Sequence, residues 1–419
     1  MLASIMNRGS LRALFAVALL WLPTARADDE GTAWVGTWAT GPAGPGGPAP
    51  HFNNQTVRYI VHTSVAGDHV RVRISNTFGS DPITIGSARL ARRASGSTIV
   101  AGTDRPLRFS GNASALIPAG GLVLSDPVAL NVPALSDLAV SIYFPGDAAA
   151  DTMHIFALQT SYIAAGHGDS TGATSLPGAT TTSAWHFLTG VDVSREEDGA
   201  AVVAFGDSIT DGAFSVADAN HRWPDVLARR LQGSRELSGI GVLNEGVIGN
   251  RILHPSETGN FNLFAPAGLA RFDRDVLAQA GVRFVIALLG INDIGHPGDG
   301  APLTDEVTAE QIEAGLRQFV VRAHEKGIKV MGATILPFEN TTIPGFYSPQ
   351  KEVKRQAVNQ WIRTSNAFDA VVDFDAALRD PTHPTRLLPA YDGGDHLHPS
   401  DLGHQVMGNT IPLGFFEDD

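Results

Sequence analysis

The stretch that decides the fold is Val202-Val203-Ala204-Phe205-Gly206-Asp207-Ser208-Ile209-Thr210-Asp211-Gly212. It begins with four apolar residues, which are typical of a buried strand in a parallel sheet. Gly206 then permits a sharp turn, so that Ser208 comes at the carboxyl end of the strand. Open α/β sheets bind their ligands at that edge. Most serines after a strand only cap a helix or form a turn, so the interpretation of Ser208 as a nucleophile depends on partners elsewhere.

Downstream of this stretch, apolar strands alternate with helical windows. The strands are predicted at residues 201–205, 241–243, 284–289, 330–333 and 370–373, and the helices at 223–231, 269–278, 308–325, 351–365 and after Pro399. Strand 284–289 is apolar at every position, which favours the centre of a sheet. The alternation predicts a three-layer α/β domain over residues 200–419 with a mainly parallel five-stranded sheet.

Upstream, residues 34–195 show short alternating segments that are separated by Gly, Pro, Asn and Asp. They predict half-buried strands at residues 56–63, 69–74, 83–90, 121–124 and 138–144. Such spacing without helical windows favours an antiparallel β-sandwich, which we expect to be of jelly-roll type. The Gly/Pro-rich loop 41–50 is expected to lie at the surface without regular structure.

The N-terminus has the pattern of a secretory signal peptide. Arg8 and Arg12 precede an apolar run, residues 13–22, and the small-residue pattern Ala25-Arg26-Ala27 follows. We therefore expect residues 1–27 to be a signal peptide that is cleaved near Ala27, which implies a secreted or periplasmic protein. The alternative is a membrane anchor, but the run is shorter than the roughly 20 residues that span a bilayer, and no later segment is long and apolar enough.

Composition excludes several kinds of protein. With 43% hydrophobic and 17% charged residues the chain is globular, and at 419 residues it is long enough for two domains. It contains no cysteine, which excludes thiol nucleophiles, disulfides and thiolate metal sites. The formal charge of −13 opposes binding to a phosphate backbone, so nucleic acid is not expected as a partner.

Four loops each follow a predicted strand, or precede the last helix, at one edge of the sheet. The first contains Ser208, the loop 244–251 contains two glycines, the loop 290–293 contains Asn292, and the segment 395–399 contains Asp395 and His398. Together they could supply a nucleophile, oxyanion donors, a base and the acid that orients the base. Because Asp395 and His398 are three residues apart, a local hydrogen bond could fix the imidazole tautomer.

These blocks resemble the SGNH, or GDSL, family of hydrolases. Gly206-Asp207-Ser208-Ile209-Thr210 matches the family's nucleophile motif, and Gly249, Asn292 and the pair Asp395/His398 match the later blocks in order. The resemblance implies a flavodoxin-like fold with Ser208 as nucleophile, His398 as base and Asp395 as its partner. It also implies an oxyanion hole formed by the N–H groups of Ser208 and Gly249 and the Asn292 side chain.

Two of these assignments have competitors. Ile248 and Asn250 flank Gly249 where Ser and Asp are common in the family, so Gly246 is the alternative oxyanion donor. His396 is the alternative base, although in an extended segment it points away from the side on which His398 lies. Thr210 replaces the second glycine of G-x-S-x-G, which argues against an ordinary α/β-hydrolase elbow.

Other residues near these loops allow further interpretations. Substrate contacts are predicted for Asp207, Asn250, Arg251 and His296. A metal site is the competing interpretation of the acidic and imidazole groups at His383, Asp392, Asp395, His396, His398 and His404, but no H-E-x-x-H helix is present, and we expect neither a metal nor a cofactor. In the first domain a sugar-stacking platform competes with a place in the core for Trp34, Trp38 and Tyr59.

The sequence thus predicts an exported serine esterase that acts through an acyl-enzyme. The resemblance further implies short acyl groups on carbohydrates as substrate, by analogy with secreted family members that have an added β domain. The alternatives are a lipid or aryl-ester hydrolase of the same mechanism, and a non-catalytic polysaccharide-binding protein with a degenerate hydrolase domain. The substrate's acyl and alcohol parts and the oligomeric state stay open.

Overall fold

The structure is a computed structural model that describes residues 33–195, 199–258 and 263–417. The predicted signal peptide, residues 1–27, lies outside these ranges. Within them, no helix is both long enough and apolar enough to cross a membrane.

The first part of the chain is built from antiparallel strands. They are β1 (Ala33–Ala39), β2 (Gly44–Pro45), β3 (His51–Phe52), β4 (Gln55–His62), β5 (Gly67–Ser75), β6 (Ile83–Ile85), β7 (Ser87–Ser95), β8 (Thr98–Ile99), β9 (Arg105–Pro106), β10 (Ala115–Ile117), β11 (Leu122–Leu124), β12 (Val128–Val132), β13 (Asp137–Phe144), β14 (Ala148–Ala149), β15 (Met153–His154), β16 (Ser161–Ile163), β17 (Thr180–Thr182), β18 (Trp185–His186) and β19 (Leu188–Arg195).

Two larger sheets form the β-sandwich that the sequence predicts. One has the order β1-β19-β5-β11 with β12 also on β5, and the other has the order β17-β16-β4-β13-β7-β8 with β9 on β7. Alternate residues of each strand enter the core, such as Val57, Tyr59 and Val61 of β4 and Val70, Val72 and Ile74 of β5. This period of two is the pattern from which the antiparallel sandwich was predicted, and that fold class is confirmed. Its jelly-roll type stays a prediction.

Two local predictions in this part are wrong. The predicted strand 83–90 divides at Gly86, because β6 leaves to pair with β10 while β7 pairs with β13. The loop 41–50 is not wholly at the surface, since residues 41–44 are buried and β2 pairs with a strand of the second part. Gly41 explains the close approach, because a Cβ on it would lie 2.6 Å from the Val247 side chain.

The second part alternates strands and helices. Its elements are β20 (Ala200–Gly206), α1 (Ser208–Asp211), α2 (Trp223–Gln232), β21 (Ile240–Gly246), β22 (Ser256–Thr258), β23 (Leu263–Ala265), α3 (Gly268–Phe272) with a π-helical continuation (Asp273–Leu277), β24 (Val282–Leu288), α4 (Ile291–Gly295), a 3₁₀ turn (Leu303–Asp305), α5 (Ala309–His324), β25 (Lys329–Ala333), α6 (Pro349–Thr364), β26 (Ala370–Val372), α7 (Phe374–Leu378), β27 (Arg379–Asp380), β28 (His383–Leu387), α8 (Asp401–Thr410) and a final 3₁₀ turn (Leu413–Phe416).

The central sheet of this part is parallel throughout, with the strand order β21-β20-β24-β25-β26. Numbered within the sheet this is 2-1-3-4-5, the flavodoxin-like order, so the predicted α/β fold is confirmed. Helix α2 packs with α8, and α8 with α7, whereas α5 packs with α3 and α6. Strand β20 is buried along its whole length and lies between β21 and β24, so the loop that follows it opens at the carboxyl edge between these two strands.

One predicted helix, 269–278, changes geometry within its length. It is α-helical only to Phe272, and residues Asp273–Leu277 form a π-helix. Asp275, in this wider turn, contacts both Arg271 and Arg274. Single π-turns of this kind often occur near functional sites.

The β-sandwich and the α/β part share one hydrophobic core. Strand β1 lies against β21, and a Cβ on Gly241 would come within 2.2 Å of the Gly36 carbonyl oxygen. At the predicted boundary, residues 195–200, the fold therefore changes from β-sandwich to α/β, but the two parts pack around one core.

Two histidines are buried in this core as neutral groups. His186 lies against Phe52 and Tyr59, and His404 donates from Nε2 to the Ala213 carbonyl at 3.1 Å. Burial lowers the pKa of each to about 4. In the unfolded chain the pKa of a histidine is ~6.5. Between about pH 6.5 and pH 4, therefore, the proton binds to the unfolded chain and not to the folded one. The free energy of unfolding therefore decreases as the pH falls from about 6.5 towards 4.

His404→Gln tests this dependence, because Gln keeps a donor for the Ala213 carbonyl and does not titrate. The free energy of unfolding, measured by urea denaturation from pH 7 to pH 4, should decline less steeply in the variant, by about 1.4 kcal/mol per pH unit. His383→Gln, at an exposed site, is the matched control. Parallel pH curves for wild type and His404→Gln would contradict the prediction.

Candidate functional site

Ser208 lies where the sequence places it, directly after the buried strand β20. It is the first residue of α1, and only 5% of its surface is exposed. Asp207 caps this helix, since its Oδ1 accepts a hydrogen bond from the Ile209 N–H at 3.0 Å. Gly206 has no room for a side chain, because a Cβ there would come within 2.0 Å of the Thr210 hydroxyl. The turn therefore depends on the residue types that the motif supplies.

The structure brings Ser208, His398 and Asp395 into one chain of hydrogen bonds. Ser208 Oγ lies 2.8 Å from His398 Nε2, and His398 Nδ1 lies 2.6 Å from Asp395 Oδ2. The other Asp395 oxygen accepts the backbone N–H groups of Leu397 and His398. Burial opposes ionisation of Asp395, but the hydrogen bonds from His398 outweigh it and lower the pKa of the carboxyl. An ionised Asp395 keeps the imidazole proton on Nδ1, which leaves Nε2 to accept the serine proton.

His396, the alternative base, is directed elsewhere. Its backbone has a positive φ of 59°, and its exposed ring pairs with Asp392. The structure therefore brings His398, and not His396, to Ser208.

Gly249 and Gly246 differ in whether their N–H groups are free. The Gly246 N–H donates to the Asn244 side chain at 2.9 Å. Gly249 adopts a φ of 72°, and its N–H has no partner within the described parts of the chain. This difference favours Gly249 as a donor to a substrate.

Asn292 lies in α4, immediately after the central strand β24. Its Nδ2 donates to the Asn250 carbonyl at 3.1 Å, which leaves the second amide hydrogen for another acceptor. The same bond joins the loop that contains Gly249 to the loop that contains Asn292. Asn244 joins the first two loops in a similar way, because its Nδ2 donates to the Thr210 carbonyl at 2.8 Å.

The four residues for which the sequence predicts substrate contacts are largely enclosed by protein. Asn250 is fully buried, accepts from Arg271 at 2.9 Å and donates to the Pro266 carbonyl at 2.8 Å. Arg251 is buried and lies 3.0 Å from Asp305. His296 bonds the Asp299 carbonyl at 3.1 Å and packs edge-on against Phe346, and Asp207 is the helix cap described above. These contacts support a role in shaping the loops, and contact with substrate stays a prediction for all four.

Two buried carboxyls lie beneath the site. Burial raises the pKa of Asp207 to about 7 and that of Asp293 to about 6. Asp293 accepts the backbone N–H groups of Ile252 and Leu253, which fixes the end of the Gly249 loop. Asp207 Oδ2 has no hydrogen-bond partner within the described residues.

Arg271 and Phe214 are components of the site that the sequence did not indicate. Arg271 is fully buried and donates to the Gly206 carbonyl at 2.8 Å as well as to Asn250. The Phe214 ring stacks on the His398 ring, with centroids 5.4 Å apart and planes at 15°, and half of Phe214 is exposed. In the sequence, Arg271 and Asp275 look like an ordinary i,i+4 ion pair on a helix surface. Phe214 is a single aromatic residue in a polar loop and belongs to no hydrophobic pattern. The sequence therefore indicates a role for neither residue.

The competing metal site does not form in the described parts of the chain, which contain no group of three or more His, Asp or Glu side chains able to hold an ion. His383 is exposed and His404 is buried on the Ala213 carbonyl. In the β-sandwich, Trp38 and Tyr59 belong to the core, and Arg71 covers Trp34 at 4.4 Å from its ring centroid. A sugar platform from these three residues therefore does not form.

Solved structures that resemble this chain each cover about half of it. A GDSL-like lipase from Bacteroides thetaiotaomicron is 20% identical, covers 52% of this chain and 87% of its own, and has a TM-score of 0.36. An acetylxylan esterase from Geobacillus stearothermophilus is 23% identical, covers 53% and 97%, and has a TM-score of 0.37. An alpha/beta hydrolase enzyme from the metagenome of Lake Arreo is 22% identical, covers 52% and 94%, and has a TM-score of 0.38. A comparison with curated proteins gives no match.

The sequence itself supplies the assignment, and it falls on the part of the chain that contains the site. Residues 204–406 match the sequence model of the GDSL-like Lipase/Acylhydrolase family, a range that includes Ser208, Gly249, Asn292, Asp395 and His398. The resemblance deduced from the motifs is confirmed: residues 204–406 are a GDSL-like lipase/acylhydrolase domain, and the protein is a carboxylic ester hydrolase.

Proposed function

We propose that the protein is an exported serine esterase that removes short acyl groups, acetyl above all, from carbohydrates. The observation that carries the mechanism is the hydrogen-bond chain Ser208 Oγ–His398 Nε2–Asp395, with distances of 2.8 and 2.6 Å. This geometry supports the proposed roles of Ser208 as nucleophile, His398 as base and Asp395 as the group that orients the base.

In the first step Ser208 Oγ attacks the ester carbonyl carbon while His398 Nε2 takes the serine proton. The tetrahedral oxyanion accepts hydrogen bonds from the N–H groups of Ser208 and Gly249 and from Asn292 Nδ2. The imidazolium, which Asp395 stabilises, then gives its proton to the departing alcohol as the carbon–oxygen bond of the ester breaks. Water repeats the sequence on the acyl-enzyme and releases the acid and Ser208.

The assignment to short acyl groups on carbohydrates rests on the resemblance to secreted family members that have an added β domain. Export rests on the signal-peptide pattern of residues 1–27. Both are proposals, and the substrate is tested by the ester and polysaccharide panel separately from the mechanism.

A specific observation favours the second candidate, an aryl-ester or lipid hydrolase. Phe214, which stacks on His398, is 50% exposed, and Val216 in the same loop is 58% exposed. The free face of Phe214 can stack on an aromatic leaving group or on the apolar face of a sugar, and Val216 adds surface that suits an alkyl chain.

Ser208→Ala should abolish hydrolysis of a chromogenic acetate ester, because it removes the oxygen that attacks the carbonyl carbon. The readout is turnover together with labelling by a fluorophosphonate, which should modify wild type once and the variant not at all. Ser80→Ala, at an exposed site of the β-sandwich, is the control and should behave as wild type. A folded Ser208→Ala protein with wild-type turnover would rule out the serine mechanism.

Asn292→Ala should lower kcat by roughly 10²–10³-fold, as the loss of an oxyanion donor does, with a smaller effect on KM. Asn112→Ala is the matched control, because its side-chain amide also donates to a nearby backbone carbonyl, that of Ser110, but lies in the β-sandwich. A loss of only twofold would show that Asn292 fixes the Asn250 loop without stabilising the oxyanion.

A panel of substrates separates the two candidates. Acetate should be the fastest among p-nitrophenyl esters from acetate to laurate, and acetate should be released from acetylated polysaccharide. The control is Ser208→Ala on every substrate. The opposite result, laurate fastest and no acetate released from polysaccharide, would favour the lipid hydrolase and overturn the proposed substrate.

A further inference from the structure

The loop between α1 and α2, residues 212–222, links the nucleophile to the base through Phe214. On one side it is held by α8, the helix that follows His398. Asp401 accepts the Val216 N–H at 2.8 Å and pairs with His221 at 2.7 Å, and His404 donates to the Ala213 carbonyl. One side of the loop is thus attached to the helix that follows His398, the residue on which Phe214 stacks.

The other side of the loop is held by the β-sandwich, through residues 154–160, which we call the clamp segment. Asp218 is the centre of this contact. Its carboxylate accepts hydrogen bonds from Gln159 Nε2, from the Thr160 N–H and from the Thr160 hydroxyl, each at 2.6 Å. Its own N–H donates to the Leu158 carbonyl at 2.9 Å. Four hydrogen bonds therefore join one exposed loop residue to the clamp segment.

A second contact of the clamp segment reaches the nucleophile helix itself. His154 is buried, with Nε2 at 3.0 Å from Asp211 Oδ1 and Nδ1 at 3.0 Å from the Gly41 carbonyl. A carbonyl oxygen can only accept, and the carboxylate accepts as well, so the arrangement suits a doubly protonated ring. Burial opposes this charged form, but the Asp211 carboxylate and the Gly41 carbonyl outweigh it and raise the pKa of His154. His154 and Asp211 thus form a buried ion pair between the two parts of the molecule.

The loop's last residue is fixed in the same way, because Arg222 donates to the Ala157 carbonyl and lies over the Trp185 ring. The clamp segment therefore contacts the beginning, the middle and the end of the stretch from Asp211 to Arg222. This arrangement matters for α1, which has only four residues. Helices of a single turn are not stable alone, so the position of Ser208 must be fixed by contacts outside the helix.

We propose that the clamp segment of the β-sandwich positions the nucleophile helix and the Phe214 loop for catalysis, with His154, Asp211 and Asp218 as positioning residues. The β-sandwich then acts on the active site through protein contacts, whatever else it binds. This inference rests on the proposed serine mechanism, which it extends to a part of the chain outside the family match at residues 204–406.

The test is Asp218→Ala, because this residue is exposed and its replacement leaves the core intact. With p-nitrophenyl acetate, kcat should fall by about tenfold, since small displacements of a nucleophile are costly, while KM stays within about twofold. The rate of fluorophosphonate labelling at Ser208 should fall by a similar factor. Asp218→Asn, which keeps an oxygen for the Thr160 N–H, should recover part of the loss. Hydrogen exchange of the amides in residues 212–218 should become faster in Asp218→Ala.

The matched control is Asp126→Ala. Asp126 lies in the β-sandwich, away from this loop. Like Asp218, its carboxylate accepts backbone N–H groups, those of Ser110 and Gly111 at 2.9 and 2.7 Å, and its own N–H donates to a carbonyl, that of Arg108. Its loss should change neither kcat nor exchange in residues 212–218.

Each outcome decides the proposal. Equal exchange and equal kcat in Asp218→Ala and Asp126→Ala would overturn it, and so would faster exchange with unchanged kcat, because the contact would then not position Ser208. Failure of the proposed function would look different, since wild type and Ser208→Ala would have the same turnover. In that case hydrogen exchange still tests the clamp segment. Unchanged exchange of residues 212–218 in Asp218→Ala would overturn the proposal, and faster exchange would show that the clamp segment stabilises the loop.

Discussion

The active-site edge depends on one buried guanidinium, that of Arg271. Its Nη2 donates to the Gly206 carbonyl at 2.8 Å, its Nε to Asn250 at 2.9 Å and its Nη1 to Asp275 at 2.9 Å. Its plane also lies over Phe205, 4.2 Å from the ring centroid. A buried charge destabilises the fold unless it is paired and hydrogen-bonded, and here each of the three guanidinium nitrogens has a hydrogen-bond partner. The planar fork of arginine joins the nucleophile loop to the Gly249 loop in a way that the single ammonium of lysine could not reproduce.

Once Arg271 fixes Asn250, the remaining contacts hold the loops that contain the proposed oxyanion donors. Asn292 donates to the Asn250 carbonyl, and Asp293 accepts the next two N–H groups, those of Ile252 and Leu253. The Gly249 loop is therefore held at its centre from one side and at its end from another. Gly249 has a φ of 72°, a conformation that favours glycine, and its N–H has no partner among the residues that the structure describes. Donors that are fixed before substrate arrives stabilise a developing oxyanion without reorganisation, which is where such a site gains most of its rate.

The features that the sequence predicted are those with a local signal. The buried strand β20 and the pair Asp395/His398 depend on neighbours within a few residues, so composition and spacing reveal them. Arg271 and Phe214 could not be predicted, because their partners lie far away in the chain and their own surroundings look like an ordinary surface. The same reason explains the error at residues 41–44, where a Gly/Pro-rich segment that suggests an exposed loop is buried by Val247 and by strand β23.

The β-sandwich packs against an edge strand of the parallel sheet, and this contact gives it a structural role in the hydrolase domain. Strand β21 is an edge strand of the parallel sheet, and exposed edges invite unwanted pairing. Here Ser64 of the sandwich accepts the Val242 N–H at 2.8 Å, and β1 covers the same edge so closely that Gly36 and Gly241 admit no side chains. The sandwich thereby covers both the edge beside the nucleophile strand and, through residues 154–160, the helix that begins with Ser208. A part that covers the sheet edge and contacts the helix of the proposed nucleophile is, in our proposal, a component of the catalytic unit, even though the family match begins only at residue 204.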